Sequence, residues 1–177
     1  FDGSDDNMAI SHNSDLNMNC DFTISLWYKQ LTTPTASTWP GVIQKGGGTS
    51  SSTGFNLYNG DGDSMHYKRD NIDNLGVSFS NGQWTYFTVT FDDASNDARF
   101  YLNAILNDQA TNDYTDNTAT AGITIGKSPD TGAIINGILD EVAFWNRTLS
   151  EQEILNLYKR GAARLNLSVR SCDDGAC

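Results

Sequence analysis

Apolar and polar residues alternate with a period of two through most of the chain, in short runs separated by turn-forming clusters. In Phe22-Thr-Ile-Ser-Leu-Trp-Tyr-Lys29, one face takes Phe22, Ile24, Leu26 and Tyr28. The other takes Thr23, Ser25, Trp27 and Lys29. Further strand-like runs are Val42–Lys45, Phe55–Tyr58, Met65–Arg69, Leu75–Phe79, Trp84–Phe91, Arg99–Leu102 continuing into Ile105-Leu106, Ile123–Ile125, and Ile134 onward to Trp145. In Trp84–Phe91, one parity holds Trp84, Tyr86, Thr88 and Thr90, and the other holds Phe87, Val89 and Phe91. Strands this short and regularly spaced predict an all-β sandwich or barrel. An α/β fold would need helices between the strands, and the pattern supplies none there.

One helix is predicted, over about residues 150–160. Ser150 stands as N-cap with Glu153 three positions on, a capping box, and Leu149 and Ile154 occupy the positions of a hydrophobic staple. Lys159 and Arg160 suit the negative end of the helix dipole, and Gly161 suits the terminating position. Beyond it Leu165, Leu167 and Val169 alternate with polar residues. This places a boundary near 162, with 1–162 one domain and 163–177 a linker or the first strand of a following β domain. The chain begins at Phe1 without a methionine and stops after a cysteine, so it is expected to be a piece of a longer protein.

Composition sharpens this picture. The 177 residues carry a net charge of −11, and of the 22 acidic residues only Glu141, Glu151 and Glu153 are glutamates. Asp bonds its own backbone in turns whereas Glu favours helix, so an Asp-rich, Glu-poor chain is a chain of loops and strands. Such a surface repels a phosphate backbone, which excludes nucleic acid as the expected partner. No apolar run approaches 18 residues, so no membrane-inserting helix is expected. Cys172 and Cys177 enclose a short loop compatible with a local disulfide in an oxidising compartment, although spacing alone fixes no pairing. Cys20 is left over, and a buried or semi-buried thiol is expected there.

The order of segments resembles the laminin-G-like jelly-roll domains of the concanavalin A-like superfamily. The matching pieces are Phe1-Asp-Gly3, Phe22-Thr-Ile-Ser-Leu-Trp27, Gly82-Gln-Trp-Thr-Tyr-Phe-Thr-Val89, Phe100-Tyr-Leu-Asn103 and Ile123-Thr-Ile-Gly126. The most specific is Asn136-Gly-Ile-Leu-Asp-Glu-Val-Ala-Phe-Trp-Asn-Arg-Thr-Leu-Ser150, which looks like the family's closing signature. The resemblance spans residues 1 to about 160 and implies a two-sheet antiparallel jelly-roll sandwich with one short C-terminal helix. One departure is Asn103-Ala104, where the family usually has Asn-Gly. Ala tolerates positive φ poorly, so another turn type is expected for this hairpin. The tail Val169-Arg-Ser-Cys-Asp-Asp-Gly-Ala-Cys177 is similar to segments that join such domains to further β-sandwich modules in very large bacterial and archaeal surface proteins.

What the resemblance implies for function is a non-catalytic extracellular or cell-surface module mediating adhesion or carbohydrate recognition. Its partners would be a polysaccharide or another surface molecule, neighbouring domains, or copies of the same chain. The alternative is a purely structural brick of a surface layer, stalk or filament. Glucanases of this fold use two glutamates and an intervening aspartate along one strand, and glycosidic hydrolysis needs a carboxylate pair about 5–9 Å apart. No such cluster is present, and His12 and His66 stand without a nucleophile in a recognisable context. The family's structural Ca²⁺, carried over to this sequence, would be held by the Asp140 side chain with Asp2 and the Gly3 carbonyl. Asn59-x-Asp61-x-Asp63 mimics the start of an EF-hand loop, but Ser64 replaces the needed glycine and a plain hairpin turn is the better expectation. A sugar platform would need an exposed aromatic with polar neighbours. Trp27, Trp39 and Tyr67 are the aromatics considered, and the pattern alone assigns no face to them. Asn146-Arg-Thr148 and Asn166-Leu-Ser168 match the N-glycosylation pattern.

Overall fold

Eleven strands and one α-helix follow one another in the computed structural model, which describes residues 1–35, 38–46, 54–69, 72–111 and 120–165. The strands are β1 (Met8–Ile10), β2 (Phe22–Gln30), β3 (Gly41–Lys45), β4 (Phe55–Asn59), β5 (Ser64–Arg69), β6 (Ile72–Ser78), β7 (Thr85–Asp92), β8 (Asp97–Leu102), β9 (Ile105–Thr111), β10 (Ile123–Ile125) and β11 (Gly137–Trp145). The helix α1 is Glu151–Leu165. All pairings are antiparallel. One sheet runs β1-β10-β3-β4-β5-β6 and the other β11-β2-β7-β8-β9. This is the two-layer jelly-roll sandwich that the resemblance implies, and of the sandwich or barrel left open by the alternating pattern it is the sandwich.

The period of two sets the interior. Phe22, Ile24, Leu26 and Tyr28 of β2 point inward with Phe87, Val89 and Phe91 of β7 and Phe100 of β8. They meet Ile43, Phe55, Leu57, Met65, Tyr67, Leu75 and Val77 of the facing sheet, and none is more than 2% exposed. Tyr67, near a loop in the sequence, belongs to this core. Each large side chain buried here contributes about 1.5–3 kcal/mol of transfer free energy.

The opposite face of the five-stranded sheet is covered as well. Trp27, Tyr86 and Tyr101 lie under α1 with Leu149 and Ile154, and all are buried. Tyr158 of the helix stacks on the Trp27 ring at 5.6 Å between centroids. The predicted capping box is formed. The Ser150 N–H donates to Glu153 Oε2 at 2.9 Å, and the Glu153 N–H donates to Ser150 Oγ at 3.3 Å. Thr23 fastens the corner before the helix, its hydroxyl donating to the Arg147 carbonyl at 2.9 Å and accepting the Leu149 N–H at 3.0 Å.

Four sequence expectations are corrected. The helix does not stop at residue 160: Gly161 lies inside it, and helical structure continues to Leu165. Gly161 serves packing, because a Cβ there would stand 2.1 Å from Trp27 Nε1. The Asn103-Ala104 hairpin does not switch turn type. Both residues take positive φ (51° and 65°), as a type I′ turn requires, at a cost of about 1–2 kcal/mol for the alanine. Asn103 holds the turn by donating its N–H to the Tyr86 carbonyl at 2.8 Å and accepting the Tyr86 N–H on Oδ1 at 2.9 Å. Cys20 is exposed, not buried. Finally, β1, a 3-10 turn at Ser14–Asn17 and most of β9 have no counterpart in the predicted elements: β1 is only three residues long, apolar but exposed, and the turn and the end of β9 are largely polar. Cys172, Cys177 and Asn166 lie outside the described residues, as does the tail that carries them.

Candidate functional site

The opening and closing segments meet as the resemblance implies. The Phe1 ammonium donates to the Gly137 carbonyl at 3.0 Å, the Gly137 N–H returns a bond to the Phe1 carbonyl at 2.9 Å, and Asp2 bridges Asn136. Gly3 sits beside the Asn136 side chain with φ of 84°. The Asp2 carboxylate accepts the Ser4 N–H at 2.8 Å. Asp140 is not gathered with them. It lies four residues past Asn136, opposite Trp27, exposed, with its Oδ1 accepting the Glu141 N–H at 2.8 Å. Four residues of extended chain span roughly 13 Å. Among the described residues no three His, Cys, Asp or Glu side chains are grouped to hold a metal ion. The structure therefore brings two of the three calcium candidates to one place and leaves the third apart.

Asp2, Gly3 and Asn136 instead form one wall of a cavity of about 360 Å³, completed by Thr32, Thr33, Pro34, Thr35, Thr38, Pro40, Ala133 and Ile134. The threonine-rich wall is the β2–β3 connection, and hydrogen bonds from several elements hold it. Asp63 Oδ1 accepts both the Thr33 hydroxyl and the Gln30 side-chain amide at 2.7 Å. The Asn81 amide donates to Thr33 Oγ1 at 3.1 Å, and the Leu31 N–H donates to the Asn136 carbonyl at 2.9 Å. Asn59, buried, anchors the network from below by donating to Gln30 Oε1 at 2.7 Å and to the Tyr28 hydroxyl at 3.0 Å. The Asn59-x-Asp61-x-Asp63 segment is thus a β4–β5 hairpin connection, as expected, and its Asp63 is a loop anchor.

Between Thr38 and Pro40 stands Trp39. It is 37% exposed and its backbone is left-handed, with φ of 41°. A bulky residue in that region is strained by about 1–3 kcal/mol and persists only where its surroundings enforce it. Here they do: Pro40 fixes its own φ, and the Pro40 carbonyl accepts the Asn59 N–H at 3.0 Å. An exposed indole whose chain neighbours Thr38 and Pro40 line the cavity offers an apolar plate close in the chain to hydrogen-bonding groups, the chemistry that suits a ligand with both C–H faces and hydroxyls. The pattern of the sequence assigns Trp39 no face and does not mark the threonines around it as part of a site. A tryptophan flanked by Pro34 and Pro40 was the available signal.

The three glutamates are divided between two elements. Glu151 and Glu153 belong to the first turn of α1, and Glu141 to a bulge in β11 on the other side of the sandwich from Asp63. The Arg147 guanidinium, 2.7 Å away, and the Ser150 donors push the Glu153 carboxyl down to about 2, so it stays ionised and holds no proton to donate near neutrality.

The sequence matches the family model of the concanavalin A-like lectin/glucanases superfamily, of the laminin-G kind, over residues 2–155. The chain belongs to this superfamily. A comparison with curated proteins gives no match. Among solved structures the superfamily fold recurs in the binding domain of botulinum neurotoxin serotype D, at 15% identity and a TM-score of 0.71, covering 89% of this chain and 41% of that one. The serotype G binding domain gives 15% identity and a TM-score of 0.70, covering 92% and 42%. A third similar structure is of botulinum neurotoxin type C, described as dependent on interaction with two ganglioside molecules to enter cells. It has 17% identity and a TM-score of 0.68, covering 87% and 39%. At these identities the likeness is one of fold, and the chain spans about two fifths of the length of each.

Proposed function

We propose that this laminin-G-like domain is a non-catalytic binding module that recognises carbohydrate outside the cell, as part of a surface or secreted protein. The observation that carries this reading is Trp39, an exposed residue of strained backbone whose two chain neighbours, Thr38 and Pro40, line a hydroxyl-bearing cavity. The ligand's C–H face would lie on the indole, while Thr33, Thr35 and Asp2 offer partners to its hydroxyls. The superfamily's lectins and the ganglioside dependence of one similar structure support the same reading. No helix among the described residues is long and apolar enough to cross a membrane.

A glycan array probed with the wild-type chain and with Trp39→Ala tests it. Trp39 lies outside both buried clusters, so the variant should fold normally and lose at least tenfold in affinity for whatever glycan the wild type retains. Silence of the wild-type chain across the array, or undiminished binding by the variant, would leave the structural-brick alternative in possession.

A further inference from the structure

A second cleft lies on the far face of the five-stranded sheet, where α1 leaves β11 uncovered. Two cavities, of about 200 and 320 Å³, are both bordered by Trp145, Leu157 and Arg160. The smaller adds Ser25, Tyr86, Glu141, Val142 and Ala143. The larger runs along the helix past Leu149, Asn156 and the mutually paired Arg147 and Glu153.

Glu141 reaches this cleft because β11 bulges. Asp140 pairs with Trp27 and Ala143 with Ser25, so Glu141 and Val142 together oppose the single residue Leu26. At the bulge Glu141 takes φ of 49°, a conformation usually left to glycine, and the Asp140 carboxylate secures it by accepting its N–H at 2.8 Å. Bulges of this kind re-aim a side chain. Here Glu141 lines the same cavity as the buried Tyr86 and as Arg160, so that a carboxylate, a phenol and a guanidinium border one cleft. Ser25 hydrogen-bonds the same phenol. Arg160 itself is exposed, and no ion pair within 4.0 Å engages it among the described residues, whereas its neighbour Arg147 is committed to Glu153 at 2.7 Å.

We propose that this cleft is a second carbohydrate site, taking a neutral pyranose whose C–H face packs on Trp145 and whose vicinal hydroxyls bridge Glu141 and Arg160. The charges decide the ligand class. An anionic sugar would meet Glu141 and an amino sugar would meet Arg160, whereas a neutral polyol satisfies a carboxylate and a guanidinium together. The apolar floor of Trp145 and Leu157 supplies the stacking surface. This site stands independently of the Trp39 cavity, on the outward face of the other sheet.

The test is an NMR titration of the intact chain with neutral cello- and malto-oligosaccharides, with oligogalacturonate and chitosan oligomers as the anionic and cationic counterparts. The Trp145 indole N–H is the reporter. Neutral sugars are expected to shift that resonance, and Arg160→Ala and Glu141→Gln are each expected to weaken the response at least fivefold while Trp39→Ala leaves it unchanged. Arg160 is exposed, so its substitution does not threaten the fold. The proposal is overturned if no neutral sugar moves the Trp145 signal, if both cleft variants respond like the wild type, or if a charged oligomer binds more tightly than the neutral ones.

Discussion

The five-stranded sheet buries aromatic residues on both of its faces, but by different means. Inward, Phe22, Phe87, Phe91 and Phe100 are enclosed by a second sheet assembled from six distant strands. Outward, Trp27, Tyr86 and Tyr101 are enclosed by one helix and the Thr148–Ser150 corner that starts it. The first cluster cannot open without separating the sheets. The second needs only the helix to lift. Stability should therefore be graded across the same β-strands, with the interior at the global limit and the helix-covered patch below it.

Truncating the interior tests the upper limit and carries the largest expected effect. Phe100 is fully buried and packs against Phe87 with 6.1 Å between ring centroids. Phe100→Ala is expected to cost about 3–5 kcal/mol in denaturant unfolding, through lost transfer energy and the cavity left behind. All spectroscopic probes should shift together. A loss confined to the helix signal would show that the two clusters have been ranked wrongly.

Gly161→Ala probes the helix-covered side with an outcome whose sign is informative. In an ordinary helix interior the change stabilises by about 1 kcal/mol. Here the added Cβ would lie 2.1 Å from Trp27 Nε1 and 2.7 Å from Cε2, atoms of a ring that Tyr86 and Tyr158 hold on either side. The helix must move outward, and overpacking of this kind costs about 1–3 kcal/mol. We expect net destabilisation, with earlier melting of the Trp27 fluorescence than of the strand circular dichroism. A stabilised variant would mean that α1 rests loosely on the sheet.

The same contrast explains what the sequence made legible. Alternation is plain in β2, β5 and β7, so their inward residues can be read directly, whereas Val42 and Ile43 of β3 are neighbours in the chain and both belong to the core. The capping box is equally legible, because Ser150, Glu153, Leu149 and Ile154 form a local pattern. Gly161 misleads because a glycine near a helix end has two physical uses, terminating and close packing, and only the position of Trp27 tells them apart. Ala104 misleads because the Tyr86–Asn103 bonds, which come from another strand, impose a turn that Ala would not choose. The site is the least legible part. Thr33, Asp63, Asn81 and Asn136 are brought together by sheet order, and the place of Glu141 depends on a bulge that no local pattern announces.

Acid provides the smallest and most selective test of the comparison. The Glu153 carboxyl, ordinarily near 4.5, is lowered to about 2, first by Arg147 and then by Ser150, both at the start of α1. A group whose value falls on folding contributes stability that is complete above its unfolded value and disappears as pH drops through its folded value. The Glu153 contribution should thus be full above pH 4.5 and vanish toward pH 2. Thermal midpoints of the wild type and Glu153→Gln, measured side by side, should differ near neutrality and converge toward pH 2, while the other carboxylates titrate equally in both and cancel. The fluorescence of Trp27 should report the convergence before the interior unfolds, because α1 is what covers it. A gap that stays constant from pH 6 to pH 2 would detach the helix cap from the ionised Glu153 and leave the lower stability of the outer patch without its stated cause.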